Sequence, residues 1–204
     1  MLTVDAVTCV RGGRVLFEDL SFALGAGGAA LVTGPNGVGK SSLIRLAAGL
    51  LSPAAGRLTG DAPRALLTDQ TSLDEELTLA RALAFWAQLD GAAANVAAAL
   101  DALALSDLAD IPVRLLSTGQ RRRAAIARVL ASGAPLWLLD EPANGLDIAA
   151  LGLLEAAIAK HRAAGGAALV ASHTPIALPG AIPIVLSDAR LNSQWGESSL
   201  GETA

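Results

Sequence analysis

Residues 27–51 read "GGAALVTGPNGVGKSSLIRLAAGLL", and the order of events in that stretch decides the fold. A short apolar run enters a glycine loop, and a helix leaves it. Gly34, Gly39, Lys40 and Ser41 satisfy the pattern G-x-x-x-x-G-K-[ST]. The glycines let successive backbone N–H groups curl around a polyphosphate, while the helix aims its positive end at the same place. Lys40 is placed to neutralise the β and γ oxygens, and the Ser41 hydroxyl to ligate Mg2+. The run Gly34, Pro35, Asn36, Gly37, Val38, Gly39, Lys40, Ser41 and Ser42 is therefore the candidate nucleotide cradle. The motif alone leaves kinase, GTPase and ATPase open.

Upstream, "LTVDAVTCV" and "VLFEDLSFAL" flank Arg11-Gly12-Gly13-Arg14, which reads as two antiparallel strands joined by a glycine turn. Downstream, residues 77–109 are rich in Ala and Leu with few β-branched residues, and read as helix. Then "APLWLLDEP" (134–142) and "GAALVASH" (166–173) bracket the helical "IAALGLLEAAIAKHRAAGG" (148–166). That alternation implies parallel strands with crossover helices. The expected class is α/β, a phosphate-loop NTPase with a mainly parallel core sheet and an N-terminal antiparallel region. The 204 residues are read as one domain, with a helical subdomain at about 77–132 and a flexible polar tail at about 190–204.

Composition narrows the field. Apolar residues make up 52% and aromatics 3%, so small side chains dominate and helix-on-sheet layers fit better than an aromatic-rich sandwich. A net charge of −4 gives no global basic footprint, so no nucleic-acid partner is expected. The single Cys9 excludes an internal disulfide. The N-terminus "MLTVDAVTCV" lacks the basic head and apolar core of a secretory leader, and none is expected. The uncharged stretch 163–186 is long enough to span a bilayer, but Gly165, Gly166, His173, Pro175, Pro179 and Pro183 interrupt it. It reads as strand, loop and strand.

Two further constellations carry chemistry. "PLWLLDEP" ends an apolar strand in Asp140-Glu141, and carboxylates at the C-terminal end of a parallel strand face the ligand crevice. Asp140 is placed to hold Mg2+ and Glu141 to polarise the attacking water. In "LLSTGQRRRAAIAR", Ser117 and Gln120 make a capping box at a helix start, worth about 1 kcal/mol. Arg121, Arg122, Arg123 and Arg128 behind it read as a solvated helix face, as do Lys160 and His161 later. Leu79, Ala82, Leu83 and Trp86 share one helical stripe and read as core.

These landmarks together resemble the ATP-binding cassette ATPases. "LSTGQ" (116–120) resembles the signature loop, Gln70 in "LLTDQTSLDEELT" the glutamine loop, "ANGLD" (143–147) the aspartate loop, and His173 in "VASHTP" the switch histidine. The resemblance implies ATP and Mg2+ as ligands, with Glu141, His173 and Gln70 catalytic and Ser41, Gln70 and Asp140 around the metal. It implies a head-to-tail dimer, in which Ser117, Gly119, Gln120 and Asp147 serve the nucleotide held by the other copy's Gly34–Ser42 loop. It also implies integral membrane subunits seated on the helical region, for which Phe85 and Leu89 are candidate contacts.

Within the family, "RGGRVLFEDLSF", "LLSTGQRRRAAIARVLASGAPLWLLDEPANGLD" and "ASHTP" are similar to the ATP-binding subunits of cytochrome c biogenesis haem exporters. That likeness implies haem-handling membrane partners and a place on the cytoplasmic face of the bacterial inner membrane. Another small transporter, or a non-transport cassette protein, is the alternative. The chain departs from the family in having no tyrosine; Arg11 stands near the usual place of the aromatic under adenine, and Thr118 replaces the commoner glycine.

Overall fold

The computed structural model describes residues 1–69 and 72–187. Gln70 and the polar tail expected at 190–204 lie outside the described residues.

Two strands, β1 (Leu2–Arg11) and β2 (Arg14–Leu24), pair antiparallel as the glycine turn requires, and β4 (Ala55–Thr59) joins the other side of β1. A second sheet is parallel, in the order β5 (Arg64–Leu67), β6 (Leu136–Asp140), β7 (Ala167–Ala171), β3 (Ala29–Thr33), β8 (Ile182–Val185). The uncharged stretch thus resolves into β7, a loop and β8. The sequence reading did not foresee β4 or β5. β4 is mostly exposed, and β5 is only four residues long; neither carries a clean period-2 signal.

The helices are α1 (Lys40–Ala47), α2 (Leu79–Leu89), α3 (Val96–Ala102), α4 (Thr118–Ala131) and α5 (Ile148–Ala163). The parallel sheet separates two cores, and alternate residues of a single strand feed each. Leu136 and Leu138 of β6 join α1 and the antiparallel sheet on one face. Trp137 and Leu139 join α2–α5 on the other. Strands buried on both faces read as unbroken apolar runs, and "LWLL" and "AALVA" do so. On α2, Leu79, Ala82 and Leu83 are buried and Trp86 packs against the same core, as the stripe predicts.

The arginine expectation is corrected. Arg122 is 7% exposed and Arg128 donates to the Leu66 carbonyl while lying 5.3 Å from the Trp86 ring centre. Arg121 donates to the carbonyls of Leu116 and Arg114, and Arg123 to those of Leu103 and Ala104. A chain with this much alanine leaves room beside its helices, and the long guanidinium stems reach across it to main-chain acceptors. His161 is likewise half-buried rather than freely solvated, whereas Lys160 is exposed as expected. Its ring stacks on Trp137 at 3.9 Å and 9°, with Nε2 3.3 Å from the Ala167 carbonyl oxygen. Burial pulls the His161 pKa below its ordinary value, against the opposing pull of the Ala167 and Pro135 carbonyls.

Candidate active site

The phosphate loop leaves β3 and turns into α1 through Gly34, Gly37 and Gly39, each at positive φ. Gly34 and Gly39 are required for different reasons of space. A Cβ on Gly34 would collide with the Leu186 carbonyl, and one on Gly39 would press on Leu16 and Phe17. Pro35, Asn36 and Gly37 are exposed, whereas Val38, Gly39 and Lys40 are buried. No side chain caps the start of α1, so its first N–H groups have no side-chain acceptor. A cavity of about 320 Å³ sits over the loop, lined by Leu16, Asn36, Gly39, Lys40, Ser41 and Glu141 among others.

Lys40 points its ammonium back into the loop, donating to Gly34 O at 2.8 Å and Pro35 O at 3.3 Å, with Glu141 Oε1 at 3.6 Å. The Ser41 hydroxyl donates to Asp140 Oδ1 at 3.0 Å. Burial pushes the Asp140 carboxyl above its ordinary range; the Ser41 hydrogen bond opposes this, and the charges of Asp69 and Glu141 add to it. Beneath the loop, burial also raises the thiol of Cys9, with Arg11 and the Ser42 hydroxyl pulling the other way.

Glu141 follows β6 with φ +47, donating its N–H to Ala171 O at 2.8 Å. That left-handed backbone is uncommon for a residue with a Cβ. It lets the carboxylate meet Lys40 through one oxygen and His173 through the other, at 2.7 Å from Nδ1 and 3.1 Å from the His173 backbone nitrogen. A carboxylate only accepts, so the Nδ1 carries the proton of that bond. Asp140, Glu141 and His173 thus sit at the C-terminal ends of adjacent parallel strands, where the crevice of an open α/β sheet lies.

The signature turn is elsewhere. Ser117 Oγ accepts from the Gln120 N–H at 3.3 Å, and Gln120 Oε1 accepts from the Ser117 N–H at 2.8 Å, which is the capping box expected. Ser117 and Thr118 are exposed, and none of Ser117, Gly119 and Gln120 lines the phosphate-loop cavity. Gly119 packs near the carbonyl of Gly145. Asp147 accepts from the Ala150 N–H at 2.7 Å and so caps α5. A separate hollow of about 380 Å³ is lined by Asp69, Thr118, Arg121, Arg122, Asn144 and Gly145.

Sequence reasoning missed Leu16 at the cavity and Arg122 behind it. Nothing in the sequence marked Leu16. Arg122 did carry a signal: Ala125, Ile126 and Val129 follow at i+3, i+4 and i+7, and all are buried, so it lies on the inward face of α4.

The sequence profile of the ABC transporter family matches residues 17–144. The cytochrome c biogenesis ATP-binding export protein CcmA of Sphingopyxis alaskensis is 58% identical over 187 residues, covering 91% of this chain and 96% of that one. A metal-chelate type ABC transporter in an inward-facing conformation superposes with a TM-score of 0.79 at 25% identity, over 92% of this chain and 80% of that one. An ATP-binding cassette in a dimeric, post-hydrolysis state with ADP and Pi has the same fold, with a TM-score of 0.72 at 21% identity over 85% and 88% of the two chains. Motif order, sheet topology and these likenesses agree: the chain belongs to the ABC transporter family as one of its ATP-hydrolysing cassettes, grouping with the cytochrome c biogenesis ATP-binding export proteins.

Proposed function

We propose that this cassette hydrolyses ATP as a head-to-tail pair of copies, on the cytoplasmic face of the bacterial inner membrane, to drive the haem-handling membrane proteins of cytochrome c biogenesis. The observation that carries the reading is the position of the Glu141 carboxylate. It is held between Lys40 and His173 at the mouth of the loop cavity, beside the Ser41–Asp140 pair.

The chain's own groups divide the work. The glycine-loop N–H groups and Lys40 hold the triphosphate, and most of the affinity comes from there. Ser41 and Asp140 offer two hard oxygen donors suited to Mg2+, with Gln70 as the proposed third, outside the described residues. Bound Mg2+ would neutralise charge on the β and γ oxygens. Glu141 orients the attacking water and accepts its proton, and His173 holds the carboxylate in position through Nδ1. The second copy brings Ser117, Gly119, Gln120 and Asp147 to the γ-phosphate. This agrees with the exposure of Ser117 and Asp147 and with the absence of all four from the lining of the loop cavity.

Among the described residues no helix is long and apolar enough to cross a membrane; the proposed membrane partners are integral subunits. An open groove of about 660 Å³, lined by Leu50, Arg64, Leu66, Trp86 and Arg128 among others, is the proposed seat for them. Phe85 and Leu89, at 54% and 67% exposure on α2, directly precede its lining residues Trp86 and Asp90 in sequence. The naming of the Sphingopyxis relative as an export protein of cytochrome c biogenesis supports the pathway.

Glu141→Gln tests the core of the proposal. Phosphate release should fall at least about 100-fold, the scale of a lost general base, while ATP binding persists and a nucleotide-bound dimer accumulates in size-exclusion chromatography. Turnover near that of the wild type would overturn the assignment. Co-purification of the cassette with integral subunits that carry haem tests the pathway, and their absence from an active complex would refute it.

A further inference from the structure

The hydrolytic site depends on a strained piece of backbone, and one buried cation is spread over that backbone. Glu141 sits at φ +47 directly after β6. Its N–H is tied to Ala171 O of β7, but its carbonyl and those of its two neighbours face α4. Arg122 meets all three. Nε donates to Pro142 O at 3.3 Å, and Nη2 donates to Asp140 O at 3.2 Å and to Glu141 O. Nη1 donates to Thr68 O at 2.7 Å, just past β5. Each of these hydrogen bonds goes to a main-chain carbonyl.

A helix face built of Ala125, Ile126 and Val129 would be filled at lower cost by an apolar side chain. A guanidinium placed there is useful for its planar fork of donors, which fixes several acceptors at once. We infer that Arg122 is a positioning residue for hydrolysis: from the helix that begins at the signature turn, it fixes the Asp140–Pro142 backbone and so aims the Glu141 carboxylate. The inference rests on the reading of Glu141 as the base. It also makes α4 a single rigid body, with the signature turn at one end and a grip on the base's own backbone one turn later.

The test uses the full chain under conditions where the wild type hydrolyses ATP. Arg122→Met keeps the length of the stem and removes every donor. Its kcat should fall about 100-fold, as for a reacting group displaced by about 1 Å. Its KM for ATP should stay within about threefold, because the phosphate cradle is untouched. Amide hydrogen exchange at Glu141 and Asn144 should quicken at least about tenfold, reporting the loosened turn directly. Arg122→Lys, a cation able to make some of the bonds, should recover about a tenth of the wild-type kcat.

In a Glu141→Gln background, Arg122→Met should cause no further loss in single-turnover hydrolysis, because residues that act as one unit are not additive. Unchanged kcat in a folded Arg122→Met chain would sink the inference. So would a loss confined to KM, unchanged exchange at Glu141, or full additivity with Glu141→Gln. If Arg122→Met does not fold, Arg122→Lys is measured in the same ways, and wild-type kcat in that variant overturns the inference equally. The two failures are separable. Inactive Glu141→Gln beside fully active Arg122→Met removes only this inference, whereas active Glu141→Gln removes the hydrolytic reading beneath it.

Discussion

The phosphate loop and the signature turn are both polar turns at the start of a helix, yet they satisfy their polar groups in opposite ways. Ser41 bonds a carboxylate 99 residues away, and Glu141 bonds a histidine 32 residues away. Ser117 and Gln120 bond each other across three residues. The first arrangement exists only in the folded chain, and its Asp140 carboxylate is buried. The second is complete within one helical turn, and it stays at the surface. A turn that closes on itself makes its hydrogen bonds locally, and its Ser117 and Thr118 stay exposed. On the proposed reading, the cradle belongs to one copy and the turn serves the nucleotide of a second.

The largest effect should come from separating the two regions by mutation. Lys40→Ala should lower both ATP affinity and turnover, the latter about 1,000-fold as for a lost charge-stabilising donor. Ser117→Arg should abolish turnover equally while the isolated chain still binds ATP, measured by fluorescent-nucleotide titration. Mixed Lys40→Ala and Ser117→Arg copies should rebuild at most one working site per pair. Equal loss of ATP binding in both variants would break the comparison.

Next in size, Gly166→Ala places a methyl group on the His161 ring. By driving it off Trp137, the substitution should cost about 1–3 kcal/mol of stability in denaturant titration. Because His161 lies on the face of the sheet away from α1, ATP binding by the folded fraction should not change. Smaller again, Ser117→Ala should remove the cap and cost about 1 kcal/mol, a local loss that leaves the Lys40 cradle intact. Its effect on turnover should far exceed its effect on stability.

The smallest effect concerns pH. The folded-state pKa of His161 is lowered by burial, so the unfolded chain takes up its proton first as the pH falls. The stability that neutral His161 contributes is therefore present above about pH 6.5 and is lost as the pH drops from there through the lower folded value. His161→Phe should flatten that part of the melting-temperature profile and leave the rest in place.

The contrast also explains what the sequence could reveal. The capping box at Ser117 needs only residues three apart, and it was legible in full. The α/β class was legible because doubly buried strands such as "LWLL" and "AALVA" write themselves as apolar runs. The juxtaposition of Ser41 with Asp140, or of Glu141 with His173, has no local trace; only motif order along the chain pointed to it. Short β5 and exposed β4 left no pattern to find. For the arginines, charge is a poorer guide than spacing. Arg122 shares its helical stripe with three buried apolar residues, and that periodicity places it inward where its charge alone suggests solvent.

The ammonium of Lys40 is anchored to two carbonyls of the turn it belongs to. The lysine thus braces the very curve it springs from, and removing it takes away a strut as well as a charge. Lys40→Met should therefore quicken amide exchange within residues 34–39 beyond what neutralisation alone explains.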